Sequence, residues 1–207
     1  SNSVTLNMSS FTIDTTAPYV TSFFFYDTLL KTGDNTTVYL NFSEAVASFS
    51  SDDDILVANG NLAAMTSNNN INWGGIFTPS GNTEDWSNRF YLNDNYTDTV
   101  GNTGTAEITP NYEVDTRAPT VNSVAITDAD GDQTHGVYGF VNAGDNVSVT
   151  ATFREAVIVD NASGNPTITL VVGSDNRTAT YTSGDNSTDL VFRYTIQATG
   201  TSGENDS

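Results

Sequence analysis

The chain has 207 residues, 25 acidic side chains against five Arg and one Lys, a formal net charge of −19, one His and no Cys. Such a surface repels nucleic acid and anionic membrane, which argues against both as partners, and the near absence of thiol and imidazole argues against disulfides and transition-metal sites. A compact fold this acidic calls for high salt or bound cations, and the composition alone leaves those two readings side by side.

Apolar residues make up 37% of the chain, with eleven Phe and nine Tyr. Aromatic and β-branched residues outweigh Leu, and no sustained i, i+3, i+4 spacing occurs, so the chain reads as all-β with little helix. Residues 1–16 come first, opening on SNSVTLNMSS without an initiator Met. They read as the final strand of a preceding or neighbouring module, at the head of a processed or excised fragment. In residues 17–117 strands are expected at 19–26, 37–43, 55–58, 62–66, 72–78, 89–93 and 111–114. In TVYLNFS, Val38, Leu40 and Phe42 share one face and Tyr39, Asn41 and Ser43 the other, the period of a half-buried strand. Within SFFFY, Phe23 and Phe25 should face a core, leaving Phe24 and Tyr26 for an outer patch. Seven short strands between turn clusters suggest an Ig-like antiparallel β-sandwich. Residues 118–207 follow suit, with strands expected at 121–127, 147–153, 167–172, 177–182 and 190–196. No run of about 18 apolar residues reads as a membrane span.

The two segments repeat each other. IDTTAP (13–18) returns as VDTRAP (114–119), 101 residues later, and the frame GDNxxVxxxFxEAV returns 111 residues later, pairing Asp34 with Asp145 and Glu44 with Glu155. The extra ten residues fall in DADGDQTHGVYGF (128–140). Repetition at a domain-sized period indicates tandem modules, hence two Ig-like sandwiches hinged at the VDTRAP proline. The second never reaches a closing V-D-T-x-A-P, so it lacks its last strands. Two explanations compete: a long repetitive protein cut at convenient points, or residues 1–16 of one subunit completing the second domain of the next, giving a filament.

The order of FSEAV, DDILVANGNL, FTP, YTDTVGNTG and NYEVDTRAP resembles the bacterial Ig-like repeats of large surface adhesins, along the whole of residues 17–117. The second unit looks like a sister type. The resemblance implies a non-enzymatic, extracellular spacer in a cell-surface stalk or fibre, often stiffened by calcium at domain junctions. It also implies that Glu44, Asp98 and Asn102 lie at one pole, approached from a linker by Asp14 or Asp115. Calcium takes six to eight oxygens, which suits these side chains; against it, the VDTRAP aspartate, Asp115, also suits a simple turn cap. Asp128, Asp130 and Asp132 alternate as in a calcium loop but lack the Gly and Glu of an EF-hand. The run Asp52–Asp54 reads as a solvated loop. His135, the only histidine, lies in a loop with no nucleophile elbow beside it, so catalysis is not expected. Expected partners are neighbouring modules or copies of the chain itself. A surface glycan stays open as a ligand, with Trp86 undecided between core and sugar site and Trp73 read as core.

Overall fold

The computed structural model describes residues 12–129, 141, 143–172 and 175–197. The chain divides into two compact units, with the break between Arg117 and Ala118.

The first unit contains β1 (Val20–Phe25), β2 (Leu29–Lys31), β3 (Thr36–Phe42), a single helical turn α1 (Ser51–Asp54), β4 (Ile55–Leu56), β5 (Gly60–Leu62), β6 (Asn72–Pro79), β7 (Glu84–Asn88), β8 (Tyr91–Leu92), β9 (Glu107–Ile108) and β10 (Tyr112–Asp115). One sheet has the order β1-β3-β6-β5; two three-stranded sheets run β2-β10-β7 and β4-β8-β9. The alternation in β3 decides its orientation: Val38, Leu40 and Phe42 are buried and Tyr39 faces out. Strand β1 does the same, burying Phe23 and Phe25 and leaving Phe24 outside, stacked on Tyr39 at 5.2 Å. Tyr112 of β10 and Phe90, between β7 and β8, close over this face. The Phe25 ring lies 4.7 Å from Tyr112 and 4.9 Å from Phe90, in the tilted and edge-on arrangements that aromatic rings favour. Strand β10 is parallel to β2 and antiparallel to β7, and its Tyr112 and Val114 are fully buried.

Two features depart from the sequence reading. The acidic run is a turn of helix, not a loop: the Asp54 carboxylate, 5% exposed, accepts a hydrogen bond from Ser50 N–H at 2.9 Å and so closes the turn with its own side chain. The elements β2, β7 and β9 have no apolar alternation to announce them. They exist because their backbones complete neighbouring ladders.

The second unit contains β11 (Val121–Ala129), β12 (Asn146–Val157), β13 (Thr167–Val172), β14 (Asp175–Ser183) and β15 (Ser187–Thr195). They form one antiparallel sheet, ordered β11-β12-β15-β14-β13. Its first hairpin has the register of the first unit's. Val20 pairs with Phe42 and Val121 with Phe153; Phe23 pairs with Leu40 and Val124 with Ala151; Phe25 pairs with Val38 and Ile126 with Val149. A bulge follows the first pair in both hairpins. The sequence offsets of 101 and 111 thus hold, residue by residue, in the ladders.

Burial does not follow the repeat. Phe23 and Phe25 are each 6% exposed, whereas Val124 and Ile126, at the same register positions, are 54% and 60% exposed. Leu190, Phe192 and Tyr194 on β15 are buried, with Ile168, Leu170 and Tyr181 packed around them. Among the described residues the second unit has one sheet, and its face is covered towards β15 but open at the β11 edge.

Candidate metal centre

The segment entering the first unit runs from Thr12 to Tyr19 without regular structure, and Thr12 to Ala17 are all exposed. Three hydrogen bonds attach it: Tyr19 N–H donates to Ser43 Oγ at 3.1 Å, Ser43 N–H donates to the Tyr19 carbonyl at 2.8 Å, and Asn102 Nδ2 donates to the Asp14 carbonyl at 3.3 Å. Asp14 caps its own turn, accepting from Thr16 N–H at 3.0 Å on one oxygen.

Asp98 is held far more tightly. Its Oδ1 accepts from the backbone N–H groups of Val100, Gly101 and Asn102 at 2.9, 2.6 and 2.9 Å, and its Oδ2 accepts from Asn102 Nδ2 at 2.7 Å. Asp98 N–H in turn donates to the Asn102 carbonyl, closing the loop. This wrap requires Gly101 at φ +100°, a conformation costly for any residue with a Cβ. Burial works against charge on Asp98, yet the Asn102 amide and the three backbone donors outweigh it and hold the pKa below the ordinary aspartate value.

Glu44 follows β3 in a bend and is half-buried. Its carboxylate and those of Asp14 and Asp98 each place an oxygen within 4.8 Å of the other two. Desolvation, then the charges of Asp14 and Asp98, raise the Glu44 pKa. The ion pairs Arg117–Glu84 and Arg177–Asp175 lie elsewhere, so among the described residues no basic side chain pairs with the triad. One carboxylate is locked ionised, a second stands against it, and a third arrives on the exposed segment. The donor set is oxygen only, with carboxylates, a carbonyl and a side-chain amide, which suits a hard divalent cation better than zinc or copper.

The structure therefore gathers Asp14, Glu44, Asp98 and Asn102. Asp115 is not with them: it ends β10, between Lys31 and Glu84 in the ladders, and its carboxylate accepts from Arg117 N–H. Asp128 is an exposed residue within β11, opposite Ser148, and so belongs to a strand and not to a loop. Asp130, Asp132 and His135 lie outside the described residues. Val100 and Gly101 escaped the sequence reading because they contribute backbone N–H groups; the spacing D-x-x-G in YTDTVGN was their only trace. Glu155, the repeat counterpart of Glu44, has Oε1 buried with no hydrogen-bond partner.

Trp73 packs partly buried on the core, with its ring 4.9 Å from Phe49, whereas Trp86 is 56% exposed. Trp86 lines a groove of about 310 Å³ with Leu29, Leu30, Lys31, Glu113 and Asp115.

Residues 14–114 match the family described as a bacterial Ig-like domain. The match begins at Asp14 and takes in Glu44, Asp98 and Asn102. No curated protein and no solved structure matches the chain. The first unit belongs to the bacterial Ig-like domain family, whose members are commonly surface-exposed and typically non-enzymatic. No helix among the described residues is long and apolar enough to cross a membrane.

Proposed function

We propose that the chain is part of an extracellular stalk, adhesin or fibre, and that calcium bound by Asp14, Glu44 and Asp98 stiffens the entry to its first domain. The observation that carries this reading is the origin of the three carboxylates. Glu44 and Asp98 belong to the folded domain, while Asp14 sits on an exposed segment with few attachments. A cation shared among them ties that segment to the domain and turns a free joint into a fixed one. Asn102 is placed to help, since its carboxamide already reaches Asp98 and the Asp14 carbonyl and can present oxygen when turned over. Calcium supplies charge neutralisation and several oxygen bonds at once.

The test is calorimetric titration of the metal-free chain with calcium, paired with hydrogen exchange of residues 12–17. Binding that protects this segment, and that Glu44→Gln abolishes, supports the reading. Absence of calcium binding at millimolar concentration ends it.

A second reading rests on Trp86. An exposed indole in a groove with Lys31, Glu113 and Asp115 has the aromatic face and polar rim that a sugar ring uses. A glycan array compared between the parent and Trp86→Ala decides it; no hits with the parent removes the binding role.

A further inference from the structure

The second unit's sheet matches the first unit's in register and differs from it in cover. In the first unit, Phe25 lies under Tyr112 of β10, at 4.7 Å between rings, and both are sealed from solvent. The Phe25 position is filled by Ile126 in the second unit, and Ile126 is 60% exposed. Beside it Val124 replaces buried Phe23 and is 54% exposed. The β11 edge of this face is thus an apolar surface built for a second layer.

The chain also carries a sequence of the type that makes such a layer. In the repeat frame Phe11-Thr12-Ile13-Asp14 corresponds to Tyr112-Glu113-Val114-Asp115, which is β10. Val114 is fully buried; Ile13 is 72% exposed. An exposed apolar residue of a strand-like sequence and an exposed apolar sheet edge therefore sit on one molecule. Charge favours their meeting. The chain carries −19 overall, but residues 1–13 include no charged side chain, so this segment can approach an acidic neighbour without bringing repulsion of its own.

We propose that the open β11 end of the second sheet receives the segment ending in Phe11–Asp14 from a second copy of the chain, with Phe11 over Ile126 as Tyr112 lies over Phe25. Repetition of a head-to-tail contact that does not close generates a fibre. The contact uses apolar cover and strand pairing; because its segment ends in Asp14, which also belongs to the proposed calcium site, it is measured in chelator.

The test is sedimentation of the full chain over a concentration series at moderate salt, which screens the acidic surfaces. The expected result is an open series of oligomers. Ile13→Asp and Ile126→Asp, both at exposed positions that leave the monomer folded, lower the association constant about tenfold to hundredfold, from the apolar burial they remove. Association that persists in chelator separates this proposal from the calcium reading. As a second measurement, Phe11→Cys with Ile126→Cys, in a chain with no native cysteine, gives a disulfide ladder between molecules on mild oxidation, and either substitution alone gives none. A parent chain that stays monomeric overturns the proposal, as does association unaffected by Ile13→Asp or a disulfide formed within single molecules.

Discussion

Phe25 and Ile126 occupy one register position in two copies of the same hairpin, so truncating each to Ala separates the effect of cover from the effect of place. The Phe25 side chain is 6% exposed, with ring contacts at 4.7 Å to Tyr112, 4.9 Å to Phe90 and 6.5 Å to Phe77. Removing a ring so enclosed leaves a cavity and costs about 3–5 kcal/mol, a third or more of the roughly 5–15 kcal/mol that holds a typical domain together. Ile126, 60% exposed, has little cover to lose, and its truncation should cost less than about 1 kcal/mol. Both Trp residues, 73 and 86, lie in the first unit. Indole fluorescence in a urea titration therefore follows that unit, and far-ultraviolet circular dichroism follows both. The comparison is made in an Ile13→Asp background so that association does not hide the exposed face. A Phe25→Ala cost below about 1 kcal/mol, or an Ile126→Ala cost equal to it, would refute the claim that the first face is sealed and the second open.

Four further outcomes follow from the metal centre and the core. In chelator, the raised pKa of Glu44 means that its contribution to stability is full below its ordinary value of 4.5 and is lost as pH rises through the raised value. The contribution of Asp98 runs the other way, present above 3.8 and lost as pH falls through its depressed value. Thermal melts over a pH series should accordingly show Glu44→Gln more stable than the parent at neutral pH in chelator, and less stable once calcium is added at saturation. Calcium at a hundred times its dissociation constant adds about 2.7 kcal/mol, a gain confined to the first unit; sodium chloride at equal ionic strength should not reproduce it. Gly101→Ala forces a Cβ into φ +100° and loosens the wrap around Asp98, costing about 1 kcal/mol or more by denaturation and weakening calcium binding. Tyr112→Phe loses the hydrogen bond that its hydroxyl donates to the Ala58 carbonyl inside the core, for roughly 1 kcal/mol in the same titration.

The sheets were legible where side chains alternate. TVYLNFS announced β3 because Val38, Leu40 and Phe42 must share the face that touches the core, and SFFFY announced β1 for the same reason. Strands such as β9, two exposed residues long, left no such mark, since only a neighbour's backbone defines them. The acidic run at 52–54 misled for a related reason. Composition says solvent, but Asp54 uses its carboxylate on the backbone of Ser50 and is drawn inside.

The carboxylate cluster shows the same limit. Glu44 and Asp98 were visible as acidic residues in a familiar frame, but nothing in their spacing says which linker aspartate reaches them. Asp14 does, because it precedes β1 and the Ser43–Tyr19 contact brings the entering segment back to the end of β3. Asp115 sits in a near-copy of the same motif and ends a strand instead, its backbone committed to β2 and β7. Near-copies of one motif thus diverge through what surrounds them, and so do Phe25 and Ile126. A repeat fixes register, because register is set between adjacent strands. Cover is set by the layer above, and a sequence repeat carries that information only when the layer repeats as well. In this chain the first hairpin has its second layer and, among the described residues, the matching hairpin does not, which is why the same frame gives a closed core once and an open face the second time.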